Sequence, residues 1–253
     1  MLNVNIWLAN AAQKSIKLLY GFMILSILIC CVLFVDIGYG RDIHNNYLPT
    51  LILIPFGMIF MFGILTCLEK GDFSSKYIVY IALVLFAIQV YSTWNYYFYT
   101  DWDSSTLTMF ASAFAHGEDV SWLSWYFSRY PNNIFLGVIF AGIEKIVHCI
   151  GLHPLEYFSL IVVQCVIVSI TGVLLFKIII GLLDNETFAY LGYILYTLIV
   201  GLSPWVSIPY SDAIGLFFPT MIYYLYINRN KHKNSLVVWM NIAVFTWIGY
   251  KIK

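Results

Sequence analysis

Eight stretches of this chain are so long and so apolar that each has to be buried along its whole length. They are residues 18–35, 48–68, 77–98, 133–152, 157–181, 188–206, 213–228 and 235–250. A helix crosses the hydrocarbon core of a bilayer in about 20 apolar residues. In lipid every backbone N–H and C=O needs a partner inside the protein, so such a segment has to be helical. The pattern predicts an all-α polytopic membrane helical bundle of about eight apolar segments. Only 10% of the 253 residues are charged and 61% are hydrophobic, against roughly a quarter charged in a soluble domain. No separate soluble domain fits between the segments. The net charge is +0 with scattered basic residues, so no basic face for tracking nucleic acid is present.

The five cysteines, Cys30, Cys31, Cys67, Cys149 and Cys165, lie within or at the ends of apolar segments. Their number is odd and no C-x-x-C occurs, so they read as small packing residues. Segment 18–35 follows Lys14 and Lys17 as a signal peptide would, but Asp36-Ile37-Gly38-Tyr39 replaces the small-x-small cleavage pattern. An uncleaved first span is expected.

Orientation follows the lysine and arginine bias of short loops. Lys14, Lys17, Lys70, Lys76 and the cluster Arg229-Asn230-Lys231-His232-Lys233 belong on the cytoplasmic side, and the loop from Asp101 to Asn133 on the external side. The expected layout is three transmembrane helices over 1–98, an external loop over 99–132, and further transmembrane helices over 133–253. An odd number of crossings must then separate the loop from Arg229, yet four segments lie between them. Either one of the four is broken, re-entrant or interfacial, or the positive-inside rule is violated once. The candidates are 188–206, with Gly192, Gly201 and Pro204, and the overlong 157–181, with Gly172 and Lys177.

The external loop holds the densest set of chemically useful groups: Asp101, Asp103, His116, Glu118, Asp119 and Arg129. An aromatic run from Trp94 to Trp102 leads into it, the composition that settles at headgroup level. Leu107, Phe110, Ala111 and Phe114 fall at helical spacing and predict an amphipathic surface helix. Asp103, Ser104 and Ser105 are suited to cap its start, and Gly117 to end it in a left-handed conformation. Trp122, Trp125, Tyr126 and Phe127 suit a second interfacial turn. Pro131 suits the first turn of the next span.

Several ionisable groups have both a chemical and a plain reading. Asp101 and Asp103, two residues apart, could share a divalent metal ion; Asp103 could equally be only a helix cap. His116, Glu118 and Asp119 are metal-ligand types without a ligand spacing, and read as a solvated helix end. Arg129 could pair with a phosphate, bidentate as guanidinium prefers, or snorkel to headgroups. Glu144 and His148 share a helix face, as a charge-paired span end or as part of an ion path. Lys177 reads as a snorkelling side chain.

The order of motifs from about residue 95 to 253 resembles the GT-C fold membrane glycosyltransferases that use polyprenyl-phosphate-linked sugars. The matching elements are the acidic pair Asp101 and Asp103, and the alanine-rich helix with Ala111, Ala113 and Ala115. Then come Tyr130-Pro131-Asn132-Asn133, Tyr210-Ser211-Asp212, Phe217-Phe218-Pro219 and Ile248-Gly249-Tyr250-Lys251. The resemblance implies sugar transfer at the external membrane face, with Asp103 as general base, Asp101 as its partner, and Asp212 orienting a cation or the substrate. It implies substrate contacts from Arg129, Tyr130, Asn132, Asn133 and Tyr210, and a divalent metal ion on Asp101 and Asp103. Its partners would be the lipid-linked sugar and the bilayer. Family members are longer, so the resemblance also implies a truncated member completed by a second subunit. The competing expectations are a transporter or flippase, and a non-catalytic membrane subunit.

Overall fold

The computed structural model describes residues 59, 63–64, 66–68, 70–71, 74–97, 100, 102–231 and 234–252. The chain divides into two compact units, Met1–Ile64 and Leu65–Lys253, and every element named below belongs to the second. Segment 18–35, most of 48–68, Asp101, His232 and Lys233 lie outside the described residues.

The described helices are α1 (Ile78–Tyr96), α2 (Asp103–His116), α3 (Ser124–Arg129), α4 (Asn132–Cys149), α5 (Glu156–Leu183), α6 (Glu186–Tyr196), α7 (Ser211–Gly215), α8 (Phe217–Asn228) and α9 (Ser235–Ile252). No strand occurs among the described residues. Four helical stretches are long and apolar enough to cross a membrane: Ser75–Tyr96, Asn132–Cys149, His153–Leu183 and Ser235–Ile252. They coincide with the apolar segments at 77–98, 133–152, 157–181 and 235–250. Large apolar side chains stay exposed along them, Leu83, Val84 and Ile88 on α1 and Val237, Met240 and Val244 on α9, as a lipid-facing surface requires.

The segments at 188–206 and 213–228 are built differently. The first is α6 followed by a π turn over Thr197–Gly201 and a 3-10 helix over Pro204–Ser207. The second is α7 and α8 with a step at Leu216. The break falls where Gly201 and Pro204 stand, whereas α5 runs through Gly172 and Lys177 for 28 residues. Gly172 serves packing instead. A Cβ there would lie 2.9 Å from the rings of Tyr193 and Tyr196.

A helix broken between other helices exposes backbone groups that need new partners. Two glutamines supply them, both 2% exposed or less. Gln89 donates from Nε2 to the Gly201 carbonyl at 2.7 Å, and its Oε1 accepts from Ser169 Oγ at 3.0 Å. Gln164 Nε2 faces the carbonyls of Trp205, Val206 and Ile208 at 3.2, 3.0 and 2.8 Å. Its Oε1 accepts from the Tyr210 N–H at 3.1 Å. Ser104 Oγ adds a bond to the Pro209 carbonyl at 2.9 Å.

The unit has two ends. At one, the Ser75 N–H donates to Glu186 and the Tyr190 hydroxyl to the Ser74 carbonyl, each at 2.8 Å. The end of α8 lies there too, since a Cβ on Gly181 would touch Ile227. Lys76, the turn between α5 and α6, and Arg229-Asn230-Lys231 therefore share this end. At the other end Glu156 meets His116 and His148. α4 reaches Glu156 through His148, and its start is linked to Gln164 through Tyr126, Asp103 and Tyr210. Both ends of α4 are thus tied to the first nine residues of α5, about 12 Å of its length at 1.5 Å per residue.

α2 runs in the same direction as α4, with Asp103 near the Asn133 end and His116 beside His148. Leu107, Phe110 and Ala111 are buried in the protein, while Phe114 stays half exposed. Close approach needs Gly137 on α4, where a Cβ would sit 2.6 Å from the Phe110 ring. Gly117 ends α2 at φ 75°, in the left-handed conformation expected of it.

Candidate functional site

The start of α2 departs from the capping expectation. Trp102 occupies the cap position without a side-chain bond, and Asp103 is the first helical residue. Its carboxylate turns to the break between α6 and α7, where Asp103 Oδ2 accepts the Tyr210 hydroxyl at 3.2 Å. Tyr126, buried on α3, lies beside them. Its hydroxyl accepts from Asn133 Nδ2 at 2.6 Å, which leaves its own proton for Asp103. Asn132 Nδ2 in turn donates to Asn133 Oδ1 at 3.2 Å. Burial, then the charge of Asp103, raises the Tyr210 phenol above its ordinary value. Burial likewise raises Tyr126, so both phenols keep their protons as donors.

Asp103, Tyr210 and Asp212 border one cavity of about 210 Å³, walled by Trp102, Trp205 and Ile208. The rings of Trp102 and Trp205 lie 5.4 Å apart. Two carboxylates, a phenol and an indole pair are groups that can bind and deprotonate a polyol: oxygens for its hydroxyls, flat faces for its C–H surface.

Other expected site residues are elsewhere. Asn132 borders a second cavity of about 600 Å³ at the start of α4, with Pro131, Tyr250 and Lys251. Arg129 is exposed, its guanidinium 5.9 Å from the centre of the Tyr130 ring, and neither residue lines the Asp103 cavity. Asp101, the other half of the acidic pair, lies outside the described residues. Asp119 folds back on Ser121, accepting from its Oγ at 2.7 Å and its N–H at 2.9 Å. Those bonds hold its carboxyl below the usual range.

Sequence reasoning passed over three contributors: Tyr126, Trp205 and Gln164. Gln164 was visible, as a lone amide inside an apolar run where polar side chains are expensive. Tyr126 and Trp205 were not, being two of 20 tyrosines and eight tryptophans. A second cluster, His116, His148 and Glu156, draws its members from three different sequence neighbourhoods. Compared with protein-family models, with curated proteins and with solved structures, the chain matches none.

Proposed function

We propose that this chain is a membrane glycosyltransferase of the GT-C kind, moving a sugar from a polyprenyl-phosphate donor at the external membrane face. The observation that carries the reading is the convergence on one cavity of Asp103 with Tyr210, 107 positions further along the chain, and with its near neighbour Asp212.

In this reaction the acceptor hydroxyl oxygen attacks the anomeric carbon and its proton passes to the Asp103 carboxylate. The bond from that carbon to the phosphate oxygen breaks, and its electron pair leaves on the polyprenyl phosphate. The centre inverts without a covalent intermediate, as in inverting glycoside hydrolysis. Tyr210 and Tyr126 orient the base, and Asp212 holds sugar hydroxyls. The departing phosphate is met at the start of α4, where Asn132 and Lys251 border the larger cavity and the helix N-terminus adds partial positive charge. Asp103 and Asp212 are hard oxygen donors on one cavity and would suit a magnesium-like ion, which would offset phosphate charge.

The test is transfer from labelled polyprenyl-phosphate sugars in membranes carrying the native chain, Asp103→Asn or Asp212→Asn. Loss of the base is expected to cost about 10²–10⁴-fold, with Asp212→Asn intermediate. Native rates in both variants would remove these residues from the site. A native chain inert toward every lipid donor would overturn the enzyme itself, and a transport defect in Glu144→Gln would then favour a carrier.

A further inference from the structure

We propose that His116, His148 and Glu156 bind one divalent ion of the zinc class, at the opposite end of α2 from Asp103. The site is independent of the transferase reading. α2 has 14 residues, which separates the two sites by about 20 Å at 1.5 Å per residue.

The spacing of the donor atoms fits an ion. Zinc holds nitrogen and oxygen ligands at about 2.0–2.2 Å, so neighbouring corners of its tetrahedron lie about 3.3–3.5 Å apart. His116 Nε2 lies 3.2 Å from His148 Nδ1 and 3.3 Å from Glu156 Oε2. His148 Nδ1 lies 2.8 Å from Glu156 Oε1. All three donors fall within 4.8 Å of one another.

With neutral rings, hydrogen bonds alone do not satisfy this arrangement. His116 Nδ1 is 2.7 Å from the Ser112 carbonyl, which only accepts, so that nitrogen carries the proton. In the neutral ring Nε2 is then a lone pair aimed at a carboxylate and at a second imidazole. His148 Nδ1 has three neighbours, with His153 Nδ1 as the third at 2.9 Å. One ring nitrogen makes one hydrogen bond, so a single proton leaves the other contacts unfavourable. A cation among them satisfies all three donors at once.

The surroundings agree. The bond from His116 Nδ1 to a backbone carbonyl is the second contact that fixes a metal-ligating histidine. His116 ends α2 and His148 lies in the last turn of α4, where helix dipoles favour positive charge. Glu144, one turn before His148, is 2% exposed with Oε2 unpartnered. It lies close enough to Glu156 and His116 to couple electrostatically to both. Two imidazoles with one carboxylate select zinc-like ions over magnesium or calcium. His153, whose side chain is 56% exposed, stands beside the cluster with Nδ1 3.3 Å from Glu156 Oε1. Because the ligands come from α2, α4 and α5, the ion would clamp three helices.

The test uses the full chain in lipid nanodiscs, purified through a tag without histidine, stripped with chelator and titrated with zinc. One tight equivalent is expected, with a rise in unfolding temperature, and cobalt in its place should give the absorption of a tetrahedral site. His148→Asn and Glu156→Gln should each lose the equivalent and the rise while keeping the metal-free unfolding temperature. Asp103→Asn should bind as the native chain does, whatever its transfer activity. No tight equivalent in the native chain, or an unchanged one in both ligand variants, would overturn the site.

Discussion

A tyrosine hydroxyl that donates to a carboxylate both aims it and limits its mobility. Tyr210 does this for Asp103, and Tyr210→Phe removes the bond while keeping the ring. Transfer is expected to fall about 10-fold, in line with about 1.5 kcal/mol for a hydrogen bond to a charged group. The loss should appear in kcat with KM and unfolding temperature little changed. Tyr126 gives a pH test. Burial raises its phenol, so the folded chain binds that proton more tightly than the unfolded chain. The stability this contributes is whole below about pH 10, where an unfolded tyrosine ionises, and declines as pH rises toward the raised folded value. Unfolding temperature measured from pH 8 to 11 should fall less steeply in Tyr126→Phe. Asp103 was legible because it stands immediately before an apolar stripe at helical spacing. Its role as a cap was the wrong detail, since the bond it accepts comes from a residue no local pattern connects to it.

Among the elements, the apolar runs announced the long helices and left the breaks unspecified. α5 contains a glycine and a lysine and stays whole, whereas the next segment opens at Thr197. The difference is tertiary: an unwound turn is stable only because Gln89 and Gln164, on α1 and α5, receive its backbone groups. A single segment carries no mark of amides placed on other helices. Gln164→Leu keeps the volume and removes four partners. At about 1–3 kcal/mol for a buried group left unpaired, a loss of about 2–4 kcal/mol is expected, read as a lower unfolding temperature. Transfer should fall with it, because Tyr210 is placed by the same side chain. The packing of α2 on α4 was hidden for a related reason, since a lone glycine at 137 signals close approach only once Phe110 is seen across from it.

At the scale of the second unit, three of the basic residues that the charge bias assigns to the inside fall together. Lys76, Arg229 and Lys231 gather at one end, and the His116, His148 and Glu156 cluster marks the other. On the orientation proposed, in a background without native cysteines, Glu118→Cys should react with an impermeant thiol reagent added outside intact cells. Asn230→Cys should react only after permeabilisation. The opposite pattern would put the Asp103 cavity in the cytosol. The bonds that fasten residues 205–208 to Gln164 all end on main-chain oxygens. They make no demand on the side chains at Trp205 and Ile208, which wall the cavity. Trp205, which is 57% exposed, can therefore be exchanged for a smaller or differently shaped residue while the suspension of the segment stays in place, so on the proposed function choice of sugar can be re-engineered there separately from the helical frame.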